Sequence, residues 1–310
     1  MKISYQNTIS KPVYFEGVGL HTGKITNMSI LPSEADTGIV FKRVDLKDKN
    51  IISAKYKSVK SATLCTTLEN EFGTRVSTIE HLMAALYLSD IDNAIIHLNN
   101  EEVPILDGSA KEFLAKLNID KPKQLLKERK YLKVTESVRL VQNKKEISIE
   151  PNETLEIDFQ LNYENKIIGN QRNIVDLDQD NLKDISNSRT FCLLEDIEKI
   201  KKLGLAKGGS LDNAIVVDKD KVINSEGLRN NKEFVNHKIL DLVGDFFLSG
   251  YRILGKVKCN QGGHELSNLF LRKLLSSKSS TMLIKKNSPK KIKKLKKYNQ
   301  NQIIKLAASA

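Results

Sequence analysis

Two stretches of the chain alternate apolar and polar residues at the spacing of half-buried strands, and each leads into runs with helical spacing. In the first, Gly17, Gly19 and Gly23 punctuate a strand and turn around His21 within residues 11–24, and a β-rich stretch follows over 39–68. Ile79, Leu82, Met83 and Leu86 then lie three or four apart, which predicts an amphipathic helix over 78–88. Ser77 is placed to cap it, with Glu80 three residues on as its capping-box partner. Residues 93–98 alternate again as a strand, Asp107-Gly108 marks a turn, and Ser109 can cap a second short helix ending at Leu117.

Residues 119–130 are charged, contain Pro122 and read as a connection. The pattern then restarts. Strands are expected over 131–140, 146–150, 154–161, 213–218 and 252–259, and helices over 194–203, 232–250 and 266–275. Strands with segregated helices in both parts predict the α+β class, divided as residues 1–122, 131–280 and a basic tail over 281–310.

At 310 residues the chain is long enough for two hydrophobic cores. It contains no apolar run long enough to span a bilayer or to serve as a secretory leader, and Cys65, Cys192 and Cys259 form no C-x-x-C pair. Reduced thiols and a cytoplasmic location are expected. The net charge of +12 suggests nucleic acid until it is located: ten lysines and no acid lie between Ser276 and Ala310, and subtracting them leaves +2 for the rest. The body is nearly neutral, so sequence-reading of nucleic acid is not expected. The tail could touch an anionic membrane surface, and its small apolar end, residues 303–310, could be a protease handle.

The chemistry concentrates in Asn236-His237-Lys238-Ile239-Leu240-Asp241-Leu242-Val243-Gly244-Asp245. At 100° per residue, Asp241 and Asp245 fall near 40° and 80° from His237, opposite an apolar arc. His237 and Asp241 are either an ordinary helix-surface pair or two metal ligands. Glu80-His81 is the complement. His81 would be a third ligand, and Glu80 a base beside the fourth position, although Glu80 equally suits the capping box. His264, after a Gln261-Gly262-Gly263 turn, suits a cleft or an ordinary loop. Beside Asp245 it would favour its cationic form. His97, inside an alternating strand, reads as structural.

With these landmarks the sequence resembles the UDP-3-O-acyl-N-acetylglucosamine deacetylase family, the zinc amidases of lipid A synthesis. The motifs are GVGLHTG (17–23), LCTTL (64–68), STIEHLMAAL (77–86), EEVPILDGSA (101–110), SRTF (188–191), LGLAKGGSLDNAIVVD (203–218), HKILDLVGD (237–245) and GGHELSN (262–268). The resemblance implies two related β-α-α-β domains, each with a small insertion, and an active site between them. It implies removal of the N-acetyl group from an acylated UDP-amino sugar. His81, His237 and Asp241 would bind Zn²⁺, or Fe²⁺ in the cell, with Glu80 as general base. His264 would be the cationic acid, Asp245 its orienting partner, and Thr190 a hydroxyl steadying the oxyanion. Lys238, Phe191 and His21 would contact substrate, and Ile197, Ala206, Leu211 and Val216 would line a passage for its acyl chain. Gln261 stands where the family often carries a cation, so one diphosphate contact is expected to be lost or moved to Lys258. A sugar-nucleotide or nucleic-acid binding protein without a metal, and an amidohydrolase for another N-acetyl sugar, are the competing readings.

Overall fold

The computed structural model describes residues 2–277, 279–285 and 287–288. Two mixed sheets carry the fold. In the first, the strands run in the order Val13–Val18, Ile25–Leu31, Ala94–Leu98, Ile39–Arg43, Ile51–Ser53, paired antiparallel, antiparallel, parallel, antiparallel. In the second, the order Val138–Gln142, Lys145–Glu150, Arg252–Asn260, Leu155–Asn162, Asn170–Asp176 repeats the same sequence of pairings. The long Arg252–Asn260 strand has a second parallel neighbour, Lys130–Val134, along its first half. Burial follows the period-two pattern: Thr26, Met28 and Ile30 are buried while residues between them are more exposed.

Six helices are described: α1 (Glu80–Leu88), α2 (Lys111–Leu117), α3 (Lys183–Ser186), α4 (Leu194–Lys202), α5 (Glu233–Phe247) and α6 (His264–Ser276). The α+β class is therefore the one observed. α1 packs on α5, α5 also packs on α6 and on the second sheet, and Phe113 of α2 meets Phe15 of the first sheet at 5.1 Å. Because neighbours surround them, α1 is buried from Glu80 to Tyr87 and α5 at every position but Lys238. Of the two alternatives for His237 and Asp241, the surface pair is excluded: the polar stripe of α5 is buried, and Asp241 faces His81 of α1.

Two small insertions flank this frame. Strands Val59–Ser61, Thr67–Glu69 and Arg75–Val76 form one, before α1, and Phe191–Leu193, α4, Ile215–Asp218 and Lys221–Val222 form the other, before α5. The expected connection over 119–130 is partly a strand, since Lys123–Glu128 pairs with Tyr5–Thr8. The expected tail over 281–310 likewise begins in a strand, Thr281–Lys285, paired with Lys130–Val134. Residues 289–310, on which the membrane and protease expectations rest, lie outside the described residues. Among the described residues no helix is long and apolar enough to cross a membrane.

Candidate functional site

The α1–α5 crossing positions the polar groups. A Cβ added at Gly244 would lie 2.0 Å from the backbone oxygen of Glu80, so only glycine permits this separation of the helices. The capping box is not formed. Thr78 adopts φ +57°, the helix starts at Glu80, and Ser77 donates instead to the Glu101 carbonyl. The Glu80 side chain is thereby released to the site, where its Oε2 accepts the Thr66 amide at 3.0 Å.

The donor atoms of His81, His237 and Asp241 all lie within 4.8 Å of one another, and all three residues are buried. Asp241 Oδ1 stands 3.4 Å from His81 Nε2 and 3.4 Å from His237 Nε2, and it has no hydrogen-bond partner. Donors about 2.1 Å from a tetrahedral centre stand about 3.4 Å apart, so the spacing suits a cation of zinc's size. His237 Nδ1 donates to the Ser188 carbonyl at 3.1 Å, which turns a bare Nε2 toward the cluster. Burial drives the His237 pKa down to about 3 against the pull of Asp241, leaving a neutral imidazole. Burial opposes the charge on Asp241 too. There the flanking Lys238 ammonium and His264 imidazolium outweigh it and hold the carboxyl well below its usual range. An unpartnered carboxylate oxygen facing an imidazole nitrogen on each of two helices is a donor set that fits a divalent metal.

A second set of groups faces this cluster. His264 opens α6 rather than sitting in a loop, and its Nδ1 donates to Asp245 Oδ2 at 3.0 Å. Its Nε2 lies 3.8 Å from Glu80 Oε1 and 3.9 Å from Asp241 Oδ2. Burial raises the pKa of Glu80, against the pull of His264 and His81. Burial alone would lower that of His264, but Asp245, Glu80 and Asp241 together lift it to about 10. A buried carboxyl with raised proton affinity and an imidazolium thus stand on one side of the donor cluster, a pairing suited to proton transfer in both directions.

A cavity of about 390 Å³ opens beside these groups. Its wall includes Leu64, Tyr163, Thr190, Phe191, Lys238 and His264. Lys238 Nζ bridges Asp241 Oδ2, at 2.9 Å, and the Phe191 ring, 5.5 Å from its centroid. Thr190 is anchored on both sides: its amide donates to Gly108 O and its carbonyl accepts from Ile215. Gly108, at φ +81°, has the Asn213 oxygen 2.1 Å from where a Cβ would be, so the two halves of the fold meet backbone to backbone here. Arg189, fully buried, fastens the same segment to Glu233 at the start of α5, at 2.9 Å.

The other expected substrate contacts are not part of this cavity wall. His21 is buried, accepts the Ala206 amide on Nδ1 at 3.4 Å, and leaves Nε2 without a partner. Ile197 is half-buried on α4, Ala206 half-buried in the following loop, Leu211 43% exposed and Val216 buried in a strand. From α4 the cavity takes Asp196 and Ile200 instead. Gln261 donates to the Asn162 carbonyl, and Lys258 is paired with Glu150 at 3.0 Å. Three contributors carried no role in the sequence reading. They are the Ser188 carbonyl, Thr66, and the fully buried Glu102, which accepts the His21 and Thr22 amides and the Thr78 hydroxyl. Thr66 and Glu102 lie within LCTTL and EEVPILDGSA, so the motifs themselves were the available signal.

Residues 6–276 match the LpxC family model, described as UDP-3-O-acyl N-acetylglycosamine deacetylase. The chain is 41% identical over 278 residues to the UDP-3-O-acyl-N-acetylglucosamine deacetylase of Pseudoalteromonas translucida (strain TAC 125), covering 89% of this chain and 92% of that one. It is 40% identical over 283 residues to the protein of the same name from Shewanella frigidimarina (strain NCIMB 400), covering 90% and 92%. The like-named protein of Geotalea uraniireducens (strain Rf4) is 40% identical over 288 residues, 93% of this chain and 94% of that one.

Proposed function

The chain belongs to the UDP-3-O-acyl N-acetylglycosamine deacetylase family, and from that premise we propose a metal-assisted route for its reaction and a role for each residue. The activity is N-deacetylation of UDP-3-O-acyl-N-acetylglucosamine, a step of lipid A biosynthesis. Hydrolysis of the amide releases acetate and leaves the free amine on a sugar whose 3-O-acyl group is a 3-hydroxyacyl chain.

The observation that carries the metal reading is the unpartnered Asp241 Oδ1, set 3.4 Å from an imidazole nitrogen on each of two helices. His81, His237 and Asp241 would hold Zn²⁺. When bound, zinc would supply Lewis-acid polarisation of the acetamide carbonyl and a lowered pKa for water.

The remaining work belongs to the chain. Glu80 takes the proton of the attacking water, a task its burial-raised proton affinity suits. His264, kept cationic by Asp245, faces the charge that develops on the carbonyl oxygen and can return a proton to the departing amine. Thr190, held at both backbone ends, offers its hydroxyl to the same oxygen. Lys238 and Phe191 bind substrate at the cavity wall, while His21 contacts it from outside that wall and Ile197, Ala206, Leu211 and Val216 guide the acyl chain. Burial of Glu80, Asp245 and His264 reduces solvent screening and strengthens the interactions among them.

The test is elemental analysis of the purified chain together with acetate release from the acylated UDP-sugar. We expect about one divalent ion per chain, loss of turnover on chelation and its return with zinc. A metal-free chain that turns over at the full rate overturns the proposal.

A further inference from the structure

Thr66 reaches the site from outside the helices that build it. It is buried, and it makes two bonds there: its amide donates to Glu80 Oε2 at 3.0 Å and its hydroxyl to Asp245 Oδ1 at 2.7 Å. Each bond engages one carboxylate oxygen and so decides which oxygen is left for His264. Glu80 is left with Oε1, 3.8 Å from His264 Nε2, and Asp245 with Oδ2, 3.0 Å from His264 Nδ1. One residue thus sets the orientation of a carboxylate on either side of the same imidazole. The segment before it bends at Leu64, with φ +64°, and Ala62, Thr63 and Leu64 form part of the cavity wall. Thr66 therefore joins the surface facing the substrate to the groups that move protons.

We propose that Thr66 is a positioning residue for the deacetylation, acting through its hydroxyl on Asp245 and hence on His264. The proposal rests on the roles assigned to Glu80 and His264 above. The bond crosses 179 residues of sequence and links the first insertion to α5, so no local element would hold Asp245 in the same way. Substitution removes the hydroxyl and keeps the amide, which isolates the Asp245 limb from the Glu80 limb.

Thr66→Val preserves side-chain shape and deletes the donor. It should lower kcat about 10- to 100-fold, leave KM within about twofold, and retain the wild-type metal content. Thr66→Ser should restore kcat to within about threefold of wild type. In an Asp245→Asn background, Thr66→Val should cost less than about threefold further, since both changes interrupt one chain of bonds. Wild-type kcat in Thr66→Val overturns the proposal. So does a loss confined to KM or to metal content, a serine variant as slow as the valine one, or full additivity with Asp245→Asn. If the valine chain does not fold, Thr66→Ala is held to the same criteria. A wild-type chain that releases no acetate would instead defeat the functional reading, so the two failures are distinct.

Discussion

Asp245 and Asp241 share one helix and one imidazole neighbour, His264, yet meet different demands. Asp241 leaves an oxygen bare, whereas both oxygens of Asp245 accept hydrogen bonds. The cation those carboxylates hold has a measurable consequence. Burial opposes it, but Asp245, Glu80 and Asp241 lift the pKa of His264 to about 10, against about 6.5 in an unfolded chain. A proton bound more tightly by the folded state stabilises fully below the unfolded pKa, and that stabilisation is lost as pH climbs to the folded one. Glu80, raised by burial, acts in the same sense from its own ordinary value upward. The metal-free chain should therefore lose Tm between about pH 6.5 and pH 10, and His264→Gln should flatten that slope. Calorimetry of both chains across the interval checks this, and a wild-type Tm that stays level or climbs contradicts it. At this scale, side chains with distinctive chemistry were legible: His237 and Asp241 through their i, i+4 spacing, Glu80-His81 as their complement. Thr66 and the Ser188 carbonyl were not, because a hydroxyl and a backbone oxygen announce nothing by type and act across 179 and 49 residues.

The helices bring the donors together only because two backbones nearly touch. Gly244 sits mid-helix, where it is less favourable than alanine by about 0.8–1.0 kcal/mol, so something else selects it. The Glu80 carbonyl occupies the space its Cβ would need, 2.0 Å away. Gly244→Ala should force α1 and α5 apart, destabilise the protein by about 3 kcal/mol in urea unfolding, and reduce metal content, since His81 is on one helix and His237 and Asp241 on the other. Unchanged stability and metal content would refute the close-packing argument. The order and type of the main elements were largely legible from periodicity, and α1 and α5 were placed within a few residues. The departures have physical causes. A β-branched residue in a left-handed conformation, Thr78, delays α1 and frees Glu80 from a cap. Pairing with distant strands makes ladders of segments whose charge alone reads as linker or tail, as at Lys123–Glu128 and Thr281–Lys285.

Across the whole molecule, the two sheets repeat one order of pairings, and the groups between them knit their halves together. Arg129 bridges Asp90 and Asp92 at 2.7 and 2.6 Å, Arg229 reaches Asp107 at 2.8 Å, and Gly208 donates to Leu20 at 3.0 Å. A metal bound by His81, His237 and Asp241 would add one more tie between them. Free zinc at 100 times its Kd should thus stabilise the folded state by about 2.7 kcal/mol and move a single unfolding transition upward. Two transitions, of which only one shifts on chelation, would contradict that coupling. The separation of these donors along the chain also bears on biosynthesis. A polypeptide emerging from the ribosome with residues 1–236 has His81 but neither of its partners, and His264 follows later still. On the proposed ligand set, a nascent chain would therefore be a poor competitor for cellular cations until the second of the two ligand-bearing helices has emerged.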